Sequence, residues 1–250
     1  FIGGIIFNFA NLLLVIAIEI AGMAIAFPIG IGIALVLGVF TNYISQPEGN
    51  PYVLFSGVTL IAIAILFDGL AYNKTLKNTK DNPLKGIFIS LIAGIAMGFF
   101  YKFVASSMSV DFLIPQAGKL TPYTALVVFS IGIIVSNFIF NTINMYFPLK
   151  GKKVSFVDYI KLGSLKLHMI GIFGGIIWGV GMSLNILASD QAGPAIAYGL
   201  GQGATLVAAI WGVFIWKEFK DLPYESRWLI PMMFILFFLG IGFIIAAKLI

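Results

Sequence analysis

Long charge-free apolar runs dominate this sequence, and they leave few folds open to it. Residues 1–18 and 20–47 are separated only by Glu19, and further uninterrupted runs cover 49–67, 86–101, 120–149, 169–189, 191–216 and 228–247. Ala21-Gly22 marks a break in the first stretch, so the pattern predicts helices over about 1–21 and 23–45 and eight apolar segments in all. Each is close to the roughly 20 residues that cross about 30 Å of hydrocarbon. The shortest, 86–101, is expected to continue to about Ser107, with Lys102 near its end. The fold class is therefore all-α, a polytopic membrane protein. Composition agrees: 60% of residues are hydrophobic and 10% charged, where a soluble domain carries about 25% charged. So much apolar surface excludes a soluble globule, and disorder needs the opposite composition.

Punctuation between the runs supports the same division. Gln46-Pro47-Glu48-Gly49-Asn50-Pro51 ends the second helix, Asn82-Pro83 opens the fourth, Thr121-Pro122 opens the fifth, Pro148 closes it, and Leu222-Pro223 separates the last two. Phe156–Leu165 reads as a short interfacial helix. The net charge of +5 is that of a chain oriented in a bilayer, with no nucleic-acid partner. Lys74, Lys77, Lys80 and Lys85 share the loop at 73–85. Lys150, Lys152, Lys153, Lys161 and Lys166 share 148–167, and Lys217, Lys220 and Arg227 share 217–227. These alternate with basic-poor loops at 45–51, 106–121 and 189–191. The positive-inside rule makes the basic loops cytoplasmic and puts both ends of this chain outside.

Two stretches match without a gap at an offset of 171. Gly3-Gly4-Ile5-Ile6, Ala21-Gly22, Ala24-Ile25-Ala26, Gly30, Gly32 and Leu35-Val36 recur as Gly174-Gly175-Ile176-Ile177, Ala192-Gly193, Ala195-Ile196-Ala197, Gly201, Gly203 and Leu206-Val207. Phe7 pairs with Trp178, Phe27 with Tyr198 and Glu19 with Asp190. The copies start five spans apart, an odd number, so they face opposite ways across the membrane. Inverted repeats build many secondary transporters. The repeat predicts a ten-helix inverted-repeat fold, five plus five, of which eight helices are here. Residues 1–72 are the last three helices of the first unit, 73–85 a basic cytoplasmic loop, and 86–250 the second five-helix unit. Two helices are then expected ahead of Phe1, on the order of 60–70 residues with their loops.

These residues resemble the drug/metabolite transporter superfamily. Gly174-Gly175-Ile176-Ile177-Trp178, Ala192-Gly193, Ala195-Ile196-Ala197, Trp211-Gly212-Val213-Phe214 and the Lys217-Glu218-Phe219 helix end are similar to two of its branches. One is the glucose/ribose-type uptake proteins and the other the ureide permeases. Gln191-Ala192-Gly193 and Trp211-Gly212-Val213 lie nearer the ureide permeases, whose central cytoplasmic loop corresponds to Asn73–Lys85. One feature departs from that branch. No G-x-x-x-x-G-K-[ST] string occurs, so the ATP binding suggested by a phosphate-loop motif in plant relatives is not carried over. The resemblance implies a multi-pass protein of the plasma or inner membrane that moves a small neutral polar metabolite, a ureide, nucleobase or sugar. Transport would proceed by alternating access with protons as coupling ion. The alternative is an exporter of amphipathic or drug-like metabolites.

Polar groups inside a bilayer are costly and mark substrate paths when they face the bundle interior. Asn137, Asn141 and Asn144 recur along one face of the fifth helix, with Ser130 on the same stripe. Carboxamides supply both donors and acceptors, which suits a neutral ligand, though the same groups also join helices. Asn8 and Asn11 lie near mid-depth of the first helix. Gln202 sits in the Gly199-Leu200-Gly201-Gln202-Gly203 stretch, whose glycines permit a helix break. Asn185 and Trp178 share a side of the sixth helix. Trp178, Tyr101 and Tyr198 could stack on a flat ring or pack the core. Glu19 and Asp190 are the proton-coupling candidates, or interfacial acids at helix ends. Asp68 reads as structural, His168 as interfacial, and Lys102 as snorkelling to the outer interface. An intramembrane enzyme is not expected, because the chain has no Cys, one His and neither H-E-x-x-H nor G-x-S-x-G. No cofactor or metal is expected. The partners are the bilayer, a small-molecule substrate and protons, in a monomer or homodimer.

Overall fold

In the computed structural model, which describes residues 1–75 and 83–250, the eight apolar runs are eight helical spans. The helices are α1 (Ile2–Ala21), α2 (Met23–Ser45), α3 (Pro51–Thr75), α4 (Pro83–Ala105), α5 (Pro122–Tyr146), the short α6 (Phe156–Leu162), α7 (Leu165–Ala192), α8 (Pro194–Gly201), α9 (Gly203–Ile210) and α10 (Leu229–Leu249). A π-helical turn, Trp211–Trp216, continues α9 and completes the span that α8 begins. Local chemistry sets several of these starts. Thr121 and Thr124 form a reciprocal cap before Pro122, and Ser155 and Asp158 do the same for α6. The Ser155 hydroxyl and N–H hold the Asp158 carboxyl below its usual range. Lys217, at φ 55 and ψ 39, ends the π-helical turn and sends the Glu218 N–H back to the Gly212 carbonyl.

Several spans differ from their expected bounds. The third runs through Asp68 to Thr75 and does not stop at 67. Its last turns are held by apolar contacts: Ala71 is fully buried against Leu222 and Leu229, and the Tyr72 ring meets Phe219. The loop expected at 73–85 is correspondingly shorter, since Asn73, Lys74 and Thr75 belong to α3 and Pro83, Leu84 and Lys85 to α4; Lys77 and Lys80 lie outside the described residues. The sixth span begins at Leu165, taking in Lys166 and His168, because Ser164 caps it by accepting from Leu167 N–H; it runs on to Ala192, so the loop expected at 189–191 is helix and the turn falls at Gly193. The seventh span breaks at Gln202, where the flanking glycines make the interruption cheap.

α4 packs between α1 and α2, α5 lies on α1, α3 pairs with α10 and α2, and α8 bridges α2 and α7. α7 is peripheral: Ile186 and Ser189 are its only buried residues. Ile170, Phe173, Ile176 and Ile177 are exposed along it, the side chains that lipid accommodates.

Polar contacts sort the loops into two ends. The Lys85 ammonium reaches Leu149 O at 3.0 Å and that of Lys150 reaches Glu19 O at 2.9 Å. Phe219 lies against Tyr72, so the basic loops share one end, as their alternation along the chain requires. Glu48, Asn50, Phe112, Asp190 and Lys248 gather at the other.

Gly22 joins α1 to α2 at φ 91 and ψ 156, and Gly193 joins α7 to α8 at φ 80 and ψ 151. That conformation is essentially open only to glycine. The two joints are 171 residues apart in sequence and lie at opposite ends of the bundle. A second correspondence joins α3 and α10. A Cβ on Gly57 would lie 2.7 Å from Gly240 O and 2.9 Å from Ile244, and one on Gly240 would lie 2.8 Å from Gly57 O and 2.5 Å from Ile61. Each glycine meets its counterpart and the isoleucine one turn beyond it.

Candidate functional site

The polar centre of the bundle is built on two tyrosines. Tyr198 enters from α8, and its hydroxyl lies 3.1 Å from Ala34 O and 3.3 Å from Met97 O, so its one proton is shared between α2 and α4. The ring rests against Gly38, where any Cβ would collide with it. Tyr101, fully buried on α4, stands 5.6 Å from it, ring to ring. The Tyr101 hydroxyl is 3.5 Å from Asn185 O, and the Asn185 amide donates to Ala197 O at 2.6 Å. This small network ties α2, α4, α7 and α8 together and satisfies the groups that α8 carries into the core.

Beside it runs a chain of aromatic rings. Trp178 of α7 stacks on Phe7 of α1 with centroids 4.7 Å apart and planes at 22°. Phe7 meets Phe100 edge-on at 5.1 Å, and Phe129 lies 6.4 Å from Trp178. Trp178 is 42% exposed. It lines a cavity of about 400 Å³ between α5 and α7 together with Phe129, Ser130, Met182 and Ser183. The Ser183 hydroxyl donates to Gly179 O at 2.7 Å. An apolar slot with an indole wall and two hydroxyls is suited to a small flat ring that carries polar edges.

The remaining candidates lie at varied depths. Asn8 is buried and donates to Ser136 Oγ at 3.0 Å, crossing from α1 to α5. Asn141 donates to Asn137 at 2.6 Å; Asn137 is exposed and Asn141 half-buried. Neither lines the cavity. Asn11 is exposed on α1. Gln202 is half-buried at the α8–α9 break. Glu19 is exposed at the basic end, where its carbonyl accepts from Lys150. Half-buried Asp190 accepts from Phe112 N–H at 3.2 Å at the opposite end. His168 stands apart, 3.4 Å from the Tyr159 hydroxyl beside α6. Among the described residues no three His, Cys, Asp or Glu are grouped to hold a metal.

Sequence reasoning did not select Phe7, Phe129, Ser136 or Ser183. Phe7 carried a usable signal: it is the residue matched to Trp178 at the offset of 171, and the two rings touch. The Asn8–Ser136 bond can be tested directly. A double-mutant cycle with Asn8→Ala and Ser136→Ala, read by unfolding in mixed detergent, is expected to give a coupling of about 0.6 kcal/mol, the usual scale for polar contacts between helices in bilayers. A coupling of zero would remove Asn8 from the list of groups that fix α5.

Comparison with known proteins identifies a family. A ureide permease family model matches residues 67–247. The chain is 22% identical to ureide permease 4 of Arabidopsis thaliana, over 98% of this chain and 77% of the relative. It is 24% identical to ureide permease 1 of the same plant over the same shares. Ureide permease 2 is 25% identical over 72% of this chain and 45% of its own length. No solved structure matches the chain.

Proposed function

The chain belongs to the ureide permease family, and from that premise we propose that it is a secondary transporter. It carries a small neutral ring of the ureide or nucleobase class across the plasma or inner membrane by alternating access, coupled to protons. The observation that carries this reading is the Phe7–Trp178 stack beside the α5–α7 cavity. It offers an aromatic face for a flat heterocycle, with Ser130 and Ser183 on the cavity wall for its polar edges. Tyr101, Tyr198 and Asn185 fix the wall behind it. Asn8, Asn11, Asn137, Asn141 and Gln202 are assigned to the path along which the solute enters and leaves.

Ten helices in two inverted units of five are part of the proposal. α1, α2 and α3 take the last three positions of the first unit, residues 1–72. The segment 73–85 links the units, and α4, α5, α7, α8–α9 and α10 make the second, residues 86–250. Three observations support a two-fold relation between them: the matching joints at Gly22 and Gly193, the Phe7–Trp178 stack of repeat partners, and the reciprocal Gly57–Gly240 contact. The lysine-rich end is the cytoplasmic one.

Proton coupling is assigned to Glu19 and Asp190, repeat-related acids at opposite ends. In proteoliposomes, uptake of allantoin or uracil is expected to accelerate when the outside is acidified and to lose that dependence with a protonophore; glucose and ribose serve as comparison solutes. Asp190→Asn and Glu19→Gln should abolish the acceleration while leaving solute exchange at equal pH. If no ureide or nucleobase moves under any gradient, the reading fails.

A further inference from the structure

The two glycine joints share a backbone conformation but not their surroundings. At Gly193 a Cβ would meet Glu48 at three atoms, its Cβ at 2.9 Å and its Cδ and Oε2 at 3.0 Å. Glu48 belongs to the short link between α2 and α3, and its Oε2 lies 2.5 Å from the Lys248 ammonium in the last turn of α10. Gln46 donates to its other oxygen at 3.3 Å. The following residues extend the contact, since Gly49 lies against Ile196 and Ala247 and Asn50 N–H donates to Ala247 O at 2.8 Å. The α2–α3 link thus covers the α7–α8 joint and is tied to α10. At Gly22, among the described residues, nothing lies within 4 Å of the equivalent position. The segment corresponding to the α2–α3 link there is 217–228, which precedes α10 as 46–50 precedes α3. It rests elsewhere: a Cβ on Gly212 would meet the Glu218 carboxylate at 2.8 Å, and Phe219 packs on Tyr72.

We propose that Glu48 seals the end of the molecule that bears Gly193, that Lys248 latches it there, and that opening of this end begins with the loss of the Glu48–Lys248 pair. The structure is then the state closed on the lysine-poor side. The inference rests on the alternating-access reading, but its test reads conformation and not uptake.

The 250 residues contain no cysteine, so one introduced at Ala195, 1% exposed just beyond the joint, reports on the seal. In proteoliposomes, labelling of Ala195→Cys by a membrane-impermeant maleimide is expected to be slow. Glu48→Ala or Lys248→Ala should each speed it roughly three- to five-fold, the scale of a partly exposed ion pair. The exchange Glu48→Lys with Lys248→Glu should restore the slow rate. An unchanged rate in both single variants, or a fast rate in the exchanged pair, overturns the latch.

A second measurement does not depend on the cysteine. Gly22→Ala and Gly193→Ala meet the same backbone strain, but only the latter meets Glu48. Gly193→Ala should therefore lower the melting temperature further, and Glu48→Gly should remove the excess; equal losses at the two joints overturn the seat. Failure of solute uptake would sink the transport reading and leave both results standing.

Discussion

Gly57→Ala and Gly240→Ala are each expected to cost about 3 kcal/mol in unfolding free energy, near the upper range for overpacking. The double variant should cost little more than either alone. Each added methyl meets a backbone carbonyl of the facing helix, at 2.7 Å from Gly240 O or 2.8 Å from Gly57 O. A carbonyl within a helix cannot turn aside without breaking its own hydrogen bond, so the helices must separate. Once the first methyl has parted α3 from α10, the second enters space already opened, and the two costs overlap. Such non-additivity is what contacting residues show. The loss should spread along the crossing, because Ile61 and Met233 are fully buried and Phe237 nearly so. Unfolding in mixed detergent measures it. Two small and additive costs would mean that the helices do not approach this closely.

The eight spans were legible because charge is scarce and falls between them. What the charge pattern could not give was where a helix ends. Asp68 and His168 lie inside helices, since the backbone bonds of a helix are local and a charge near its end can still reach water. A rule that stops at the first charge therefore clips these helices by up to two turns. The break at Gln202 was foreshadowed by its flanking glycines. The π-helical turn that follows had no comparable mark, because Trp211–Trp216 reads as an ordinary apolar stretch.

Within the centre, polar and aromatic residues could be named but not paired. Polar spacing on α5 drew attention to Asn137, while the residue turned towards α1 is Ser136, one position and about 100° earlier. Tyr198 and Gly38 lie 160 positions apart, and no local pattern says that one ring fills the space left by the other's missing side chain. The internal repeat was the one long-range signal in the sequence. It equates Phe7 with Trp178 and Gly22 with Gly193, and both pairs have structural counterparts: a stack and a shared backbone conformation. Glu48 was invisible to it, since the link that carries Glu48 lies outside the matched stretch.

Trp178→Ala is expected to raise the half-saturation concentration for allantoin or uracil roughly 10- to 100-fold with little change in melting temperature. Stacking a flat heterocycle on an aromatic side chain contributes about 1–3 kcal/mol, and each 1.4 kcal/mol is about tenfold in affinity. The indole holds its place by stacking on Phe7, yet it is 42% exposed and lines the α5–α7 cavity. Its removal therefore takes away more ligand surface than core. Trp178→Phe keeps an aromatic face and should recover most of the affinity. Phe7→Leu removes the ring that sets the indole plane and should weaken binding less than loss of the indole itself. A purely structural Trp178 would show the reverse pattern, a fall in melting temperature with the half-saturation concentration unchanged. In that case the flat ring must be held elsewhere, and the Tyr101–Tyr198 pair, though buried, is the next aromatic surface on α4 and α8.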